Sequence, residues 1–226
     1  MQKMKTRHKI LLGLGITIML ILIVELYPRK YTEKLYLKNQ DLYIINLQGK
    51  EIKLLENIVD YKLTNLEEDT ENLIVLETNE KLQKSDNILI GNWIKFYEIH
   101  RNNSNVELEL IYENDFTRVK PWSINAGKLD KDDKKDIFVG AYRATDYYEL
   151  DKRPFFFNWN GKILTRKWTG SYLGFNKLQS VEFEDINKDG IDEVKALEID
   201  EEGVLKYGYY AWTSFNFTKL GESDAD

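Results

Sequence analysis

The sequence predicts an all-β chain, a small β-propeller of about four blades behind an amino-terminal transmembrane helix. Three observations carry this expectation. Turn signals recur every 50-odd residues between β-type runs, acidic loops alternate with those turns, and a single apolar stretch stands at the start of the chain. The turns are Asn46-Leu47-Gln48-Gly49-Lys50, Arg101-Asn102-Asn103-Ser104-Asn105 and Asn158-Trp159-Asn160-Gly161-Lys162. In the first and third, glycine supplies the positive φ that a tight hairpin needs.

Each turn is flanked by strand-like runs: 42–45 and 52–55, 94–97 and 106–110, 155–157 and 163–164. A fourth pair, 205–212 and 215–220, keeps the interval without the glycine. The acidic loops lie between these hairpins, at 65–72, 127–136 and 185–193, and each leads into another apolar run. Leu73-Ile74-Val75-Leu76 and Ile137-Phe138-Val139-Gly140-Ala141 are continuously apolar, which implies burial on both faces. Two hairpins per unit make four strands, the content of one propeller blade. By this count the chain holds three units and one extra hairpin. Lys34-Leu35-Tyr36-Leu37 is then the candidate closing strand, pairing with that last hairpin and hiding sheet edges. A β-sandwich or an open stack of hairpins is the competing arrangement.

Residues 10–27 are nearly uncharged, with Glu25 close to their end and Pro28 just beyond. A helix of that length is short for a bilayer but sufficient if its polar end sits at the interface. Lys3, Lys5, Arg7 and Lys9 precede it, so the positive-inside rule keeps residues 1–9 in the cytoplasm and sends the rest across the membrane. The expected layout is a basic tail over 1–9, a membrane helix over 10–27 and a linker with the closing strand over 28–40. A propeller-like repeat domain over 41–220 and an acidic tail over 221–226 complete it. Without a small-x-small cleavage site, an uncleaved anchor is favoured over a signal peptide.

The chain has no cysteine, which excludes disulfides, zinc-thiolate sites and a thiol nucleophile. Its formal net charge is −6 although the basic tail contributes four positive charges; nucleic acid is therefore not an expected partner. His8 and His100 are the only histidines, and no strand-to-helix elbow or phosphate-cradling glycine loop accompanies them.

The loop Asp185-Ile186-Asn187-Lys188-Asp189-Gly190-Ile191-Asp192-Glu193 has the composition of a calcium site. Calcium takes six to eight oxygens, and a compact loop provides them when carboxylates or amides alternate and glycine makes the bend. Asp185, Asn187 and Asp189 alternate, the Ile191 carbonyl follows, and Asp192 or Glu193 can close the shell. Fifty-seven residues earlier, Asp130, Asp132 and Asp136 form a weaker copy, in which Lys128 replaces the first ligand and Asp133 the bend glycine. The alternative for both loops is a solvated Asx-type turn, which needs the same residue types for its own hydrogen bonds.

Asp185 to Glu193 resembles the D-x-[DN]-x-D-G-x-x-D loops of FG-GAP or VCBS-type repeats in integrin-like β-propellers, with Glu193 in place of the final Asp. Gly127, Leu129, Asp130, Asp132, Asp136 and the run 137–141 resemble a second copy. The resemblance covers residues 120–200. It implies a structural, non-catalytic Ca2+ and a propeller face that binds a protein or glycan partner. Among the aromatics, Tyr147 and Tyr148 lie in the polar connection 143–153 and are the candidates for ligand recognition, whereas the tryptophans are expected to pack between blades. The functional expectation is a single-pass, membrane-anchored extracytoplasmic binding or scaffold module. The alternative is an envelope enzyme, a glycan hydrolase or lyase on a propeller, which needs carboxylates converging in a cleft with separated pKa values.

Overall fold

The computed structural model describes residues 33–79, 84–85, 88–102, 105–144, 149–170, 172–174 and 176–225. The membrane helix expected at 10–27, the basic tail before it, and Tyr147 and Tyr148 lie outside the described residues. Among the described residues no helix is long and apolar enough to cross a membrane.

Four antiparallel sheets follow one another along the chain in a four-bladed β-propeller-like arrangement. The first holds β1 (Lys34–Lys38), β2 (Asp41–Ile45) and β3 (Glu51–Leu55). The second is formed by β4 (Ile58–Thr64), β5 (Asn72–Glu77), β8 (Trp93–Asn102) and β9 (Asn105–Asp115), with a small separate hairpin, β6 (Lys84–Ser85) and β7 (Ile88–Leu89), inserted after β5. The 3-10 turn η1 (Thr117–Val119) leads to the third, made of β10 (Pro121–Gly127), β11 (Asp136–Arg143), β12 (Asp151–Trp159) and β13 (Leu164–Thr169). The fourth comprises β14 (Lys177–Glu184), β15 (Glu193–Ile199), β16 (Leu205–Trp212) and β17 (Phe217–Asp224).

The continuous apolar runs occupy second strands that are covered on both faces. On β11, Ile137, Val139 and Ala141 join Ile74, Leu76 and Phe96 of the second sheet, while Phe138 turns to Val181, Val194 and Ala196 of the fourth. On β5, Leu73 and Val75 meet Leu42 and Ile44 of the first sheet. Period-two alternation thus sends successive residues of one strand into different cores. β15 alternates instead: Val194 and Ala196 are buried, whereas Lys195 and Leu197 on its other face are half-buried. The first strands β4, β10 and β14 lie beside one another. They are cross-linked by Asp60, which accepts the Ser123 hydroxyl at 2.7 Å and the Ile124 N–H at 2.9 Å, and by Asn125, which donates to the Val181 carbonyl at 2.8 Å.

The repeat is visible in the ladders more clearly than in residue identity. The first hairpins of the second, third and fourth sheets each carry a bulge at one equivalent place, between Ile58 and Asp60, Pro121 and Ser123, and Leu178 and Ser180. The last hairpins of all four sheets carry another, next to Leu42, Phe96, Phe156 and Tyr209. A bulge adds twist and redirects a side chain, and its recurrence in the same register marks structural equivalence. Gly140 on β11 illustrates how closely one sheet is built: a Cβ there would lie 2.5 Å from the Trp122 indole.

Two boundaries differ from expectation. β1 does not pair with the last hairpin. It pairs with β2 through a two-residue turn, Asn39-Gln40, at φ 54° and 65°, because a local primed turn closes a hairpin at far smaller entropic cost than joining the two ends of the domain. The three-stranded sheet is therefore the first, and the last hairpin completes the fourth. β17 also runs to Asp224, so residues expected to be an acidic tail pair with β16 as far as Lys206.

Candidate functional site

All three acidic loops join a first strand to a second, and one hydrogen bond closes each of them. The residue that opens the second strand accepts the N–H of an apolar residue near the loop start. Asn72 accepts from Leu66 at 2.9 Å, Asp136 from Leu129 at 3.1 Å and Glu193 from Ile186 at 3.0 Å. Three residues before the closing residue stands a left-handed position, Asp69 (φ 66°), Asp133 (φ 59°) or Gly190 (φ 85°). Aspartate tolerates this conformation better than most residues, so the bend survives where glycine has been replaced.

In the third loop, Asp185 accepts the N–H groups of Asp189 at 3.0 Å and Gly190 at 2.9 Å, Asn187 accepts that of Asp189 at 2.9 Å, and Asp189 accepts that of Ile191 at 2.9 Å. The Asn187 amide donates to Glu193 at 3.0 Å. The oxygens of Asp185, Asn187, Asp189 and Glu193 are therefore held by the loop's own backbone and amide donors. Among the described residues no three acidic or histidine side chains converge closely enough to form a metal-ion group. The donor set is nonetheless one of hard oxygens around a glycine bend, and none of its carboxylates forms an ion pair among the described residues.

The second loop is different. The Lys167 ammonium, from β13, sits 2.6 Å from Asp130 Oδ2 and 2.8 and 3.0 Å from the two Asp136 oxygens. Its side chain is only 5% exposed, with Trp212 of the fourth sheet 5.4 Å away. Burial pushes the Asp136 carboxyl up to about 6 against the pull of Lys167. Asp132 faces the Lys134 N–H at 3.0 Å, and Lys128 pairs with Asp133 at 2.6 Å. Of the three expected ligands, Asp130 and Asp136 are thus brought together, around a lysine, and Asp132 serves the turn. The two loops also dock on each other: the Lys128 N–H donates to Asp192 Oδ2 and the Asp192 N–H to the Lys128 carbonyl, both at 2.6 Å.

Buried carboxylates with raised pKa values stand apart from one another. Asp60, raised by burial, lies between the second and third sheets. Glu198, on β15 of the fourth sheet, is raised by burial and accepts the Tyr210 hydroxyl at 2.9 and 3.0 Å. Among the described residues no pair of them shares a cleft in the way glycoside hydrolysis uses two acids.

Sequence reasoning passed over one feature entirely, a cleft of about 760 Å³ between the second and third sheets, lined by Arg118, Arg143, Arg153 and Arg166 with Phe155 and Phe157 among its walls. Arg153, Phe155 and Phe157 alternate along β12 and so share a face, which Arg143, at the end of β11, extends. The bulge at Lys167 sets Arg166 opposite Phe157 and Thr169 opposite Phe155. The sequence signal for this was Arg153-x-Phe155-x-Phe157, an arginine in phase with the buried side of a strand.

No family model matches this chain, and no curated protein matches it. The likeness to FG-GAP or VCBS-type repeats therefore rests on the loop residues, beside a four-bladed propeller-like fold that stands on the sheets themselves.

Proposed function

We propose that this chain is a membrane-anchored extracytoplasmic binding or scaffold module of the FG-GAP/VCBS type, with calcium as a structural ion. The observation that carries the reading is where polar chemistry sits in the repeat. Apolar side chains fill the cores between sheets, while the acidic loops lie at strand ends, where a rigid scaffold ordinarily presents recognition groups, and the arginine cleft opens between the second and third sheets. Calcium would be held by Asp185, Asn187, Asp189, the Ile191 carbonyl and Glu193, where it would neutralise acids that have no ion-pair partner among the described residues. The second loop is supplied with positive charge by Lys167. A protein or glycan is the partner expected at the propeller surface, and residues 10–27 are the proposed anchor.

The absence of cysteine makes the orientation directly measurable. Phe215, in the β16–β17 turn, is 80% exposed, so Phe215→Cys adds one accessible thiol to the full chain. In intact bacterial cells a membrane-impermeant maleimide should label this variant as fully as it does after lysis. Labelling that requires lysis would place the domain on the cytoplasmic side and refute the orientation.

A further inference from the structure

We infer that the cleft between the second and third sheets binds a compact, multiply anionic ligand carrying two or more carboxylate or phosphoryl groups. The inference rests on the binding-module reading but needs neither the calcium nor the membrane anchor.

The chain has seven arginines, and of the five beyond residue 32 all but Arg101 line this one cleft. Such clustering runs against the overall charge of −6. Arginine is also the side chain suited to it: a planar fork of donors meets carboxylate or phosphate oxygens in pairs, which a lysine cannot do. Among the described residues Asp115 is the only carboxylate on the lining, and its own bonds to Thr117 hold its pKa low, with the Arg118 charge adding to that. Beside the buried Arg153, the three exposed guanidinium groups of Arg118, Arg143 and Arg166 thus share the described lining with one carboxylate.

The repeat itself provides the control. In the pocket at the equivalent place on the fourth sheet, the ladder registers place Asp200, Lys206 and Lys219 where Arg143, Arg153 and Arg166 stand. There each lysine has a built-in partner, Lys206 with Asp200 at 2.8 Å and Lys219 with Glu222. In the arginine cleft, Arg118, Arg143 and Arg166 form no ion pair among the described residues. Arg153 is the buried anchor of the set, donating to the Glu149 carbonyl at 2.7 Å and lying 4.1 Å over the Tyr172 ring. The fourth-sheet pocket carries four acids, Asp200, Glu201, Glu202 and Glu222, against its two lysines, whereas among the described residues its structural counterpart presents surplus positive charge.

Size and walls narrow the ligand further. About 760 Å³ falls within the range of small-molecule sites. Phe155, Phe157 and Phe116 form an apolar wall, with Phe116 and Phe157 edge-to-face at 5.5 Å. A ligand with anionic groups on a partly apolar body satisfies both the guanidinium groups and this wall.

The test is calorimetric titration of the full chain, in mild detergent and at low ionic strength, with citrate as the carboxylate probe and pyrophosphate as the phosphoryl probe. Wild type should show saturable one-site binding of at least one probe, and the responding probe identifies the group recognised. Arg118→Gln/Arg166→Gln removes two exposed arginines, so the fold should persist with an unchanged melting temperature, and binding should weaken at least about tenfold. Lys50→Gln/Lys177→Gln, with the same change in net charge on exposed sites elsewhere, should bind like wild type. The inference is overturned if wild type binds neither probe, if the arginine variant binds as tightly as wild type, or if the lysine variant loses as much. A chain that melts higher in calcium yet binds neither probe overturns the cleft alone and leaves the module with some other ligand. Anion binding that persists in a calcium-insensitive chain supports the cleft and counts only against the loop.

Discussion

Phe156→Ala is expected to lower the unfolding free energy by about 3–5 kcal/mol, the range for removing a fully buried aromatic ring. Phe156 is 0% exposed and stands at the junction of the third and fourth sheets. Its ring lies 4.6 Å from Phe217, 5.6 Å from Phe138, 6.0 Å from Trp168 and 6.2 Å from Phe183. Phe138 and Trp168 belong to its own sheet, while Phe183 and Phe217 come from the next, so truncation opens a cavity that no single strand can close by moving. Denaturant unfolding measures the effect, with Phe215→Ala, at an 80% exposed ring, as a control expected to change stability by less than about 0.5 kcal/mol. Equal effects at the two positions would mean that the sheets do not meet through this cluster.

The second large effect is at Lys167. Lys167→Met keeps most of the side chain's volume and removes the charge, which should cost about 3–5 kcal/mol at neutral pH because two carboxylates lose their buried partner. Asp136 is itself nearly inaccessible, with a side chain 3% exposed, and burial already holds its pKa up to about 6. Losing the ammonium raises that pKa further. A carboxyl whose pKa is higher folded than unfolded binds more protons in the folded state, so the penalty is complete above the folded pKa and fades as pH falls towards the unfolded value, about 4. The variant should accordingly regain stability on acidification, and adding Asp136→Asn should restore part of it at pH 7. A pH-independent deficit, or one below about 1 kcal/mol, would show that Lys167 is not the loop's counter-charge.

These two positions also mark where the sequence was legible and where it was not. The continuous run around Phe138 announced burial on both faces, and the Asn-x-x-Gly-Lys turns announced their hairpins. Gly49 and Gly161 have the positive φ expected, 77° and 87°. The assignment of strands to sheets was harder, because a period near 57 residues fixes spacing but leaves open which hairpin begins a sheet. What settled it was local: Asn39-Gln40 turns left-handed and folds β1 onto β2. Lys167 escaped notice because it lies 31 residues from Asp136 and reaches it only across the ladders of one sheet. The arginine cleft was hidden for the same reason. Arg118, Arg143, Arg153 and Arg166 are scattered along the chain; strand alternation together with the bulge at Lys167 brings the last three to one face, and Arg118 joins them from η1. Strand and turn signals are local and can be read from neighbours, whereas a site assembled between sheets depends on register.

We propose that the four-sheet repeat domain uses Asp185–Glu193 as a calcium loop. Thermal unfolding of the full chain in about 10 mM calcium and then in chelator tests it most directly, with Asp189→Ala alongside. For an ion bound only to the native state with a dissociation constant near 1 mM, as in extracellular modules, mass action contributes about 1.4 kcal/mol. For a domain of this size that corresponds to roughly 3–6 °C. Wild type should melt higher in calcium by that amount and Asp189→Ala should not respond. Identical melting of wild type in calcium and in chelator would contradict the account and leave the loop as a turn held by its own amides.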